Sequence, residues 1–384
     1  MNMAQMRRDI EYLAGNLAHR GASTQSERAA ADYIRERLLA YTGDTEVDDF
    51  FAIESPWFMF ASYYAEFLVV ALLAFWWPWL SFAYGLLVFV LYMAEFSGYR
   101  ILAHLLPQYE TQNVVARILA PNPKRLFVVT AHYDSPKYSA ITSPQAQPWL
   151  RLLHLAVVFS MIVVLISCAA EAMGLFADAH LRIDLVLRWT GVTVLLCAAA
   201  ALASCEISGE FVRGASDNAS GVAVLLALAE RFTEEPLHDA DVWLVATGSK
   251  ETWLSGMRRF MSGHVFDKET AFFLNVDRVG AGNLFFVTGE GMLHLVSSSR
   301  EMVAAAEAEA GAFGASALRW RGLPSDAFLP IARGLKALSI TAMGGRDTRV
   351  DIDDDEDRPG GIDYSTVTHA GAYAEAIIRR IAAA

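Results

Sequence analysis

The chain has 384 residues, 54% hydrophobic and only 19% charged, with a mean hydropathy of +0.30. That is too apolar for an ordinary soluble domain and points to membrane segments. A formal net charge of −12 without any basic stripe argues against a nucleic-acid partner. The three cysteines, Cys168, Cys197 and Cys205, all lie in apolar runs. They form no disulfide framework or CxxC metal site and read as membrane-buried thiols.

In chain order, the first ten residues lack an apolar core and do not read as a signal peptide. Residues 1–43 read as two amphipathic helices, the second over Ser26–Leu39. Residues 57–97 form an apolar run about twice the roughly 20 residues of one membrane span, interrupted by Trp76-Trp77-Pro78-Trp79. The run reads as a helical hairpin with an aromatic belt at its turn. Glu66 inside it faces a neighbouring helix or snorkels, with an intramembrane functional acid as the alternative. A second pair of spans is expected at roughly 149–170 and 186–206, with Arg188 at the interface and His154 as a packed core histidine. Both hairpins return the chain to the side it left. Arg100, Lys137, Arg151 and Arg213 flank the spans there, whereas the turns carry Arg182 beside Glu171, Asp178 and Asp184. This bias places the remaining chain in the cytoplasm of an inner-membrane-type, multi-pass protein.

The organisation is therefore 1–55, a hairpin at 56–98, then 99–147, a hairpin at 148–206, and 207–384. Without the hairpins about 280 residues remain, the size of one α/β domain. Strands are expected at Asn113–Ile118, Leu126–Thr130, Val242–Thr247, Ala271–Val276, Leu284–Thr288 and Leu335–Ala342, and Thr368–Ala383 reads as a closing helix. Alternating strands and helices predict an α/β fold, a mostly parallel sheet flanked by helices.

Two stretches carry the chemistry. Ala131-His132-Tyr133-Asp134-Ser135-Pro136 follows the buried strand Leu126–Thr130, at the carboxyl end where open α/β sheets place ligand sites. A histidine two residues before a carboxylate there suits a metal ligand with its orienting neighbour. Gly214-Ala215-Ser216-Asp217-Asn218-Ala219-Ser220-Gly221 sets Asp217 in a turn before the helical run Val222–Ala229. Singly, each has an ordinary alternative, a hydrogen-bonded core histidine or a helix N-cap.

Together these stretches resemble the zinc aminopeptidase and glutaminyl cyclase family of metallo-exopeptidases. His132 and Asp217 lie 85 positions apart, and removing residues 148–206 brings this to 26, close to the family's spacing. Gly248-Ser249-Lys250-Glu251 stands where the family has its Gly-Ala-Glu-Glu motif: Glu251 matches a metal ligand, and Lys250 falls at the general-base position. Asn275-Val276-Asp277-Arg278-Val279-Gly280 resembles Asn-Leu-Asp-Met-Val-Gly, making Asp277 another ligand candidate. Ser325-Asp326-Ala327 resembles the Ser-Asp-His region beside the substrate, with Ala327 in place of the usual His. The family's last ligand, a His in a His-Thr/Ser-x-x-Asp loop, aligns with Asp353, and the loop's Asp with Asp357. The acidic run 351–357 reads alternatively as a solvated loop.

The resemblance implies Zn2+ at His132, Asp217 and Asp277, with Asp134 orienting His132. A doubtful second position would involve Glu251 and Asp353, with Ser325 and Asp326 on the substrate side. It implies a membrane-embedded exopeptidase that acts on N-terminal peptide bonds. The alternative is a pseudopeptidase whose cleft and hairpins bind a peptide or a membrane-protein partner, since Lys250, Ala327 and Asp353 depart together. The bilayer itself is the other implied partner.

Overall fold

A large sheet organises one part of the computed structural model, which describes residues 1–139, 146–175, 182–344 and 357–384. Two helices, α1 (Met3–Ile10) and α2 (Gln25–Leu39), precede its first strand. The strands are β1 (Thr45–Ala52), β2 (Tyr109–Ile118), β3 (Arg125–His132), β4 (Ala240–Thr247), β5 (Ala271–Val276), β6 (Asn283–Glu290), β7 (Ser316–Trp320) and β8 (Lys336–Met343). They run in the order β1-β2-β4-β3-β5-β8-β6-β7, and the two-residue strand Val296–Ser297 pairs with β6. The four central strands β4, β3, β5 and β8 are parallel to one another. Outside them, β1 and β2 on one side and β6 on the other pair antiparallel, so the sheet is mixed around a parallel centre.

By contacts the chain divides into two units. One comprises Met1–Glu54, Tyr109–Tyr138 and Phe211–Ala384, and the other Ser55–Gln108 and Ser139–Glu210. The second unit holds four helices, α3 (Pro56–Leu73), α4 (Pro78–Phe96), α5 (Gln147–Ala172) and α6 (Ile183–Ser208), each long and apolar enough to cross a membrane. α3 starts at Ser55, whose hydroxyl accepts from Trp57 N–H, and Pro78 opens α4 after exposed Trp76 and Trp77. Both prolines sit at helix starts, where a missing N–H costs nothing. Polar side chains inside the unit pair across helices. Tyr84 donates to Glu66 at 2.6 Å, Tyr92 and His154 Nδ1 lie 3.1 Å apart, and His154 stacks on Phe96 at 4.2 Å. Arg188 is wholly buried, bonded to Ser167 and Glu171, because a guanidinium among apolar helices needs a carboxylate partner. Cys168 and Cys205 are buried, and Cys197 is exposed on α6.

In the first unit, α7 (Ser220–Glu234), α9 (Arg300–Phe313) and α11 (Tyr364–Ala383) join α1 and α2 over one sheet face. The strand residues they cover alternate, as in Phe127, Val129 and Ala131. α8 (Ser255–Gly263) and α10 (Phe328–Ala332) cover the other face against Val115, Val128, Val245 and Phe273. With both faces covered, central strands read as continuous apolar runs. The edge strands β1 and β7 are only partly covered and carry charge, which is why the apolar pattern did not reveal them.

Candidate metal centre

Three parallel strands end at the same edge, and each delivers a polar side chain there. His132 is the last residue of β3, Lys250 and Glu251 follow β4, and Asp277 follows β5. Asp217 arrives from the tight turn Ala215–Ala219 just before α7. The turn needs Gly214, at φ +65, where a Cβ would lie 2.5 Å from the Asp217 carbonyl oxygen.

The centre is buried. His132 Nε2 lies 3.2 Å from Asp217 Oδ1 and 3.6 Å from Asp277 Oδ1. Those three atoms and Asp277 Oδ2 have no hydrogen-bond partner. Buried polar atoms left unsatisfied are costly, so their convergence calls for an ion. A tetrahedral site with bonds of about 2.0–2.2 Å has ligand–ligand edges of roughly 3.3–3.6 Å, which these separations fit. Glu251 offers an alternative third ligand, since His132, Asp217 and Glu251 atoms all lie within 4.8 Å of one another. One imidazole with carboxylates is a donor set suited to zinc.

Surrounding groups fix these ligands. His132 Nδ1 lies 3.1 Å from the Asp134 carbonyl oxygen and 3.4 Å from its Oδ1, which leaves Nε2 facing Asp217. Asp134 Oδ2 accepts the Glu251 N–H at 2.8 Å. Asp357 accepts from the N–H groups of Ser216 and Asp217, both at 2.8 Å, and holds the Asp217 turn. Arg20 is fully buried and donates to the carbonyls of Leu13, Tyr133, Arg213 and Gly214, tying β3 to that turn. Glu27 on α2 accepts from Ser23 N–H, Ser249 N–H and the Thr111 hydroxyl. It thereby holds Ser249 at φ 50 in the loop that presents Lys250 and Glu251.

The charges reinforce one another. Burial and Lys250 oppose a proton on His132, but Asp134, Asp217 and Asp277 raise its imidazole well above the ordinary range. Burial opposes ionisation of Asp217, yet Lys250, His132 and Arg278 hold it well below the usual carboxylate range. Lys250 donates to Glu251 Oε1 at 2.7 Å, and Glu251, Asp277 and Asp217 together overcome burial to hold it charged.

The remaining candidates divide. Ser325 bonds through N–H and hydroxyl to buried Glu290, at 2.9 and 3.0 Å, and touches Ser339. Asp326 accepts from Thr247 at 2.5 Å, its other oxygen is unpaired, and burial lifts its carboxyl to about 6. Ala327 packs in the core with Val128, Leu254 and Met257. Asp353 lies outside the described residues. Sequence reasoning missed Glu27, Arg20 and Arg278. Only Glu27 left a local signal, the Thr24-x-x-Glu27 capping box.

Comparisons with known proteins agree with this geometry. The model of Peptidase family M28 matches residues 193–378. No curated protein matches the chain. Among solved structures, an aminopeptidase from Aneurinibacillus sp. strain AM-1 superposes with a TM-score of 0.58 at 12% identity, covering 99% of this chain and 93% of that one. A zinc aminopeptidase from Bacillus subtilis gives 0.58 at 14% identity, covering 98% and 94%. Glutaminyl cyclase from Porphyromonas gingivalis gives 0.53 at 14% identity, covering 99% of both chains. Residues 193–378 thus match Peptidase family M28, and the chain has the fold of zinc aminopeptidases and glutaminyl cyclases.

Proposed function

We propose that the protein is a membrane-embedded, zinc-dependent exopeptidase of the aminopeptidase type, releasing residues from the N-termini of peptides. At family level it is a metallo-aminopeptidase-like hydrolase. The observation that carries the reading is the convergence of unpaired His132 Nε2, Asp217 Oδ1 and Asp277 Oδ1 at ligand spacing. Zinc bound there supplies Lewis-acid polarisation of a scissile carbonyl. Asp134 keeps the imidazole oriented, and the buried walls exclude bulk water. Lys250, held charged by three carboxylates, cannot take a proton; it can donate to negative charge developing on a carbonyl oxygen. Ser325, bonded to Glu290, and Asp326, bonded to Thr247, are assigned to the substrate side.

The four apolar helices support insertion in a bilayer, and the flanking Arg100, Lys137, Arg151 and Arg213 favour the cytoplasmic side of an inner-type membrane for the sheet-bearing unit. A second reading is a pseudopeptidase that binds a peptide or membrane-protein partner without turnover. Lys250 at the base position and Ala327 in the core favour it. Purified protein, analysed for metal and incubated with peptides bearing free or blocked N-termini, separates the two. Zinc-dependent release from free N-termini only, lost with His132→Ala, supports the exopeptidase. Zinc-loaded protein that binds peptides but never cleaves them overturns it in favour of the second reading.

A further inference from the structure

Two overlapping ligand sets meet in the centre: His132 and Asp217 with Asp277, or the same pair with Glu251. The neighbouring cations distinguish them. Lys250 Nζ sits 2.7 Å from Glu251 Oε1 and bonds to it, so that oxygen already has a partner. Arg278 approaches Asp277 Oδ1 at 3.3 Å and Asp217 Oδ2 at 4.0 Å, yet neither oxygen of Asp277 receives a hydrogen bond. Asp277 therefore keeps both oxygens without a hydrogen bond, whereas Glu251 has one committed to Lys250.

Both cations are aimed at the centre by the backbone. Ser249, just before Lys250, sits at φ 50, and Arg278 itself at φ 55, a region that non-glycine residues seldom occupy. Arg278 N–H donates to Asn218 Oδ1 at 2.9 Å, and its guanidinium rests over the Trp320 ring at 5.2 Å. The side chains are only 8% and 14% exposed, so water screens neither charge well.

The formal charges can be counted. Asp134, Asp217, Glu251 and Asp277 are four carboxylates linked through His132, Lys250, Arg278 and the Glu251 N–H, with Lys250 and Arg278 as the cations among them. Asp357 and Arg20 flank the Asp217 turn with opposite signs, and Asp326 accepts from Thr247. Four anions against two cations leave a formal deficit that a single divalent ion neutralises.

We propose that Lys250 and Arg278 are built-in counter-charges that limit this centre to one divalent ion, held by His132, Asp217 and Asp277, with Glu251 as the counter-ion of Lys250. The proposal rests on the metallopeptidase reading and deepens it. Lys250→Glu reverses one charge and frees Glu251, so its formal deficit matches two divalent ions.

The test is zinc stoichiometry of the full chain in detergent, measured by elemental analysis after gel filtration and by calorimetric titration. Wild type is expected to hold one zinc per chain, and Lys250→Glu two. Lys250→Gln, which keeps the side-chain length, should show a second and weaker zinc in titration and decides the matter if Lys250→Glu does not fold. One zinc in wild type and still one in every folded variant overturns the counter-charge proposal while leaving the metallopeptidase reading in place. Two zinc ions in wild type overturn it as well. No zinc in wild type overturns both.

Discussion

Glu27→Ala should loosen the loop that carries Lys250 and Glu251 without touching either residue. Glu27 is 1% exposed and lies on α2, far in sequence from that loop. Its Oε1 accepts Ser249 N–H at 2.9 Å, and its Oε2 accepts Ser23 N–H at 2.7 Å. The Thr111 and Ser249 hydroxyls also reach it, but they lie 2.8 Å apart and can satisfy each other once it is gone. The buried Ser249 N–H and the partly buried Ser23 N–H would then be orphaned, each worth about 1–3 kcal/mol at most. Against this stands relief of an unfavourable burial, since desolvation and Asp134 push the Glu27 carboxyl up to about 8. The net cost should be about 2–4 kcal/mol. Glu27→Gln keeps one acceptor and should cost roughly half as much.

The sharper readout is local. Ser249 keeps φ 50 only while the surrounding bonds hold it, and Trp253 and Leu254 are likewise left-handed, at φ 66 and 61. Amide hydrogen exchange measured across residues 248–256 should accelerate in Glu27→Ala by at least tenfold relative to wild type, about 1.4 kcal/mol of local opening. Denaturant unfolding in detergent gives the global figure. A variant that loses less than about 1 kcal/mol and exchanges at wild-type rates in this loop would show that Glu27 does not position it.

Other consequences follow from the same geometry. Asp357→Ala removes the acceptor for Ser216 and Asp217 N–H and should lower zinc affinity about 10–100-fold, read by competition with a chelating dye; unchanged affinity would sever Asp357 from the centre. Gly256→Ala places a Cβ 2.2 Å from the Gly248 carbonyl oxygen and should cost about 2–3 kcal/mol in denaturant unfolding, whereas a neutral result would mean that α8 shifts freely. Burial raises the carboxyls of Glu27 to about 8, Glu290 to about 7, and Asp326 and Asp357 to about 6. Folded values above unfolded ones give stability that is present below about pH 4 and lost as pH rises through the folded values, so these groups make the metal-free protein less stable at about pH 8 than at about pH 5. Glu290→Gln should remove on the order of 3 kcal/mol of that slope, and an unaltered slope would contradict the assignment. Cysteines introduced at Asp178 and Glu307 should label from opposite sides of the membrane; equal access from one side would refute the topology.

What the sequence disclosed depended on how local each cause was. Strands β3, β4 and β5 are buried on both faces, so their apolar runs were visible and their carboxyl ends could be located. Because those ends hold His132, Lys250, Glu251 and Asp277, the positions of these residues were legible before any coordinates. The edge strands β1 and β7 were not, since half-solvated strands carry charges such as Asp48, Asp49 and Arg319. Four long apolar helices announce themselves by length and composition alone. Arg188 did not, because its burial depends on Glu171 and Ser167 from the preceding helix.

The electrostatic character of the centre was the least legible part, for a physical reason. Whether Lys250 is a base or a fixed cation is decided by how many carboxylates reach it, and those come from two separate strand ends and one turn. Arg278 stands beside Asp277 in sequence, where adjacent side chains on an extended chain point to opposite sides. Only the left-handed backbone at Arg278, stabilised by Asn218 from the turn before α7, brings its guanidinium back toward the ligands. Lys250 thus sits in a loop that Glu27 holds through Ser249, and its charge is neutralised by Glu251. An accidental loss of a catalytic carboxylate would leave a buried ammonium with no such provision, and burial of an unpaired charge costs several kcal/mol. Here the lysine has a dedicated partner and a braced loop, which is the condition under which a buried cation persists as a working part of the centre.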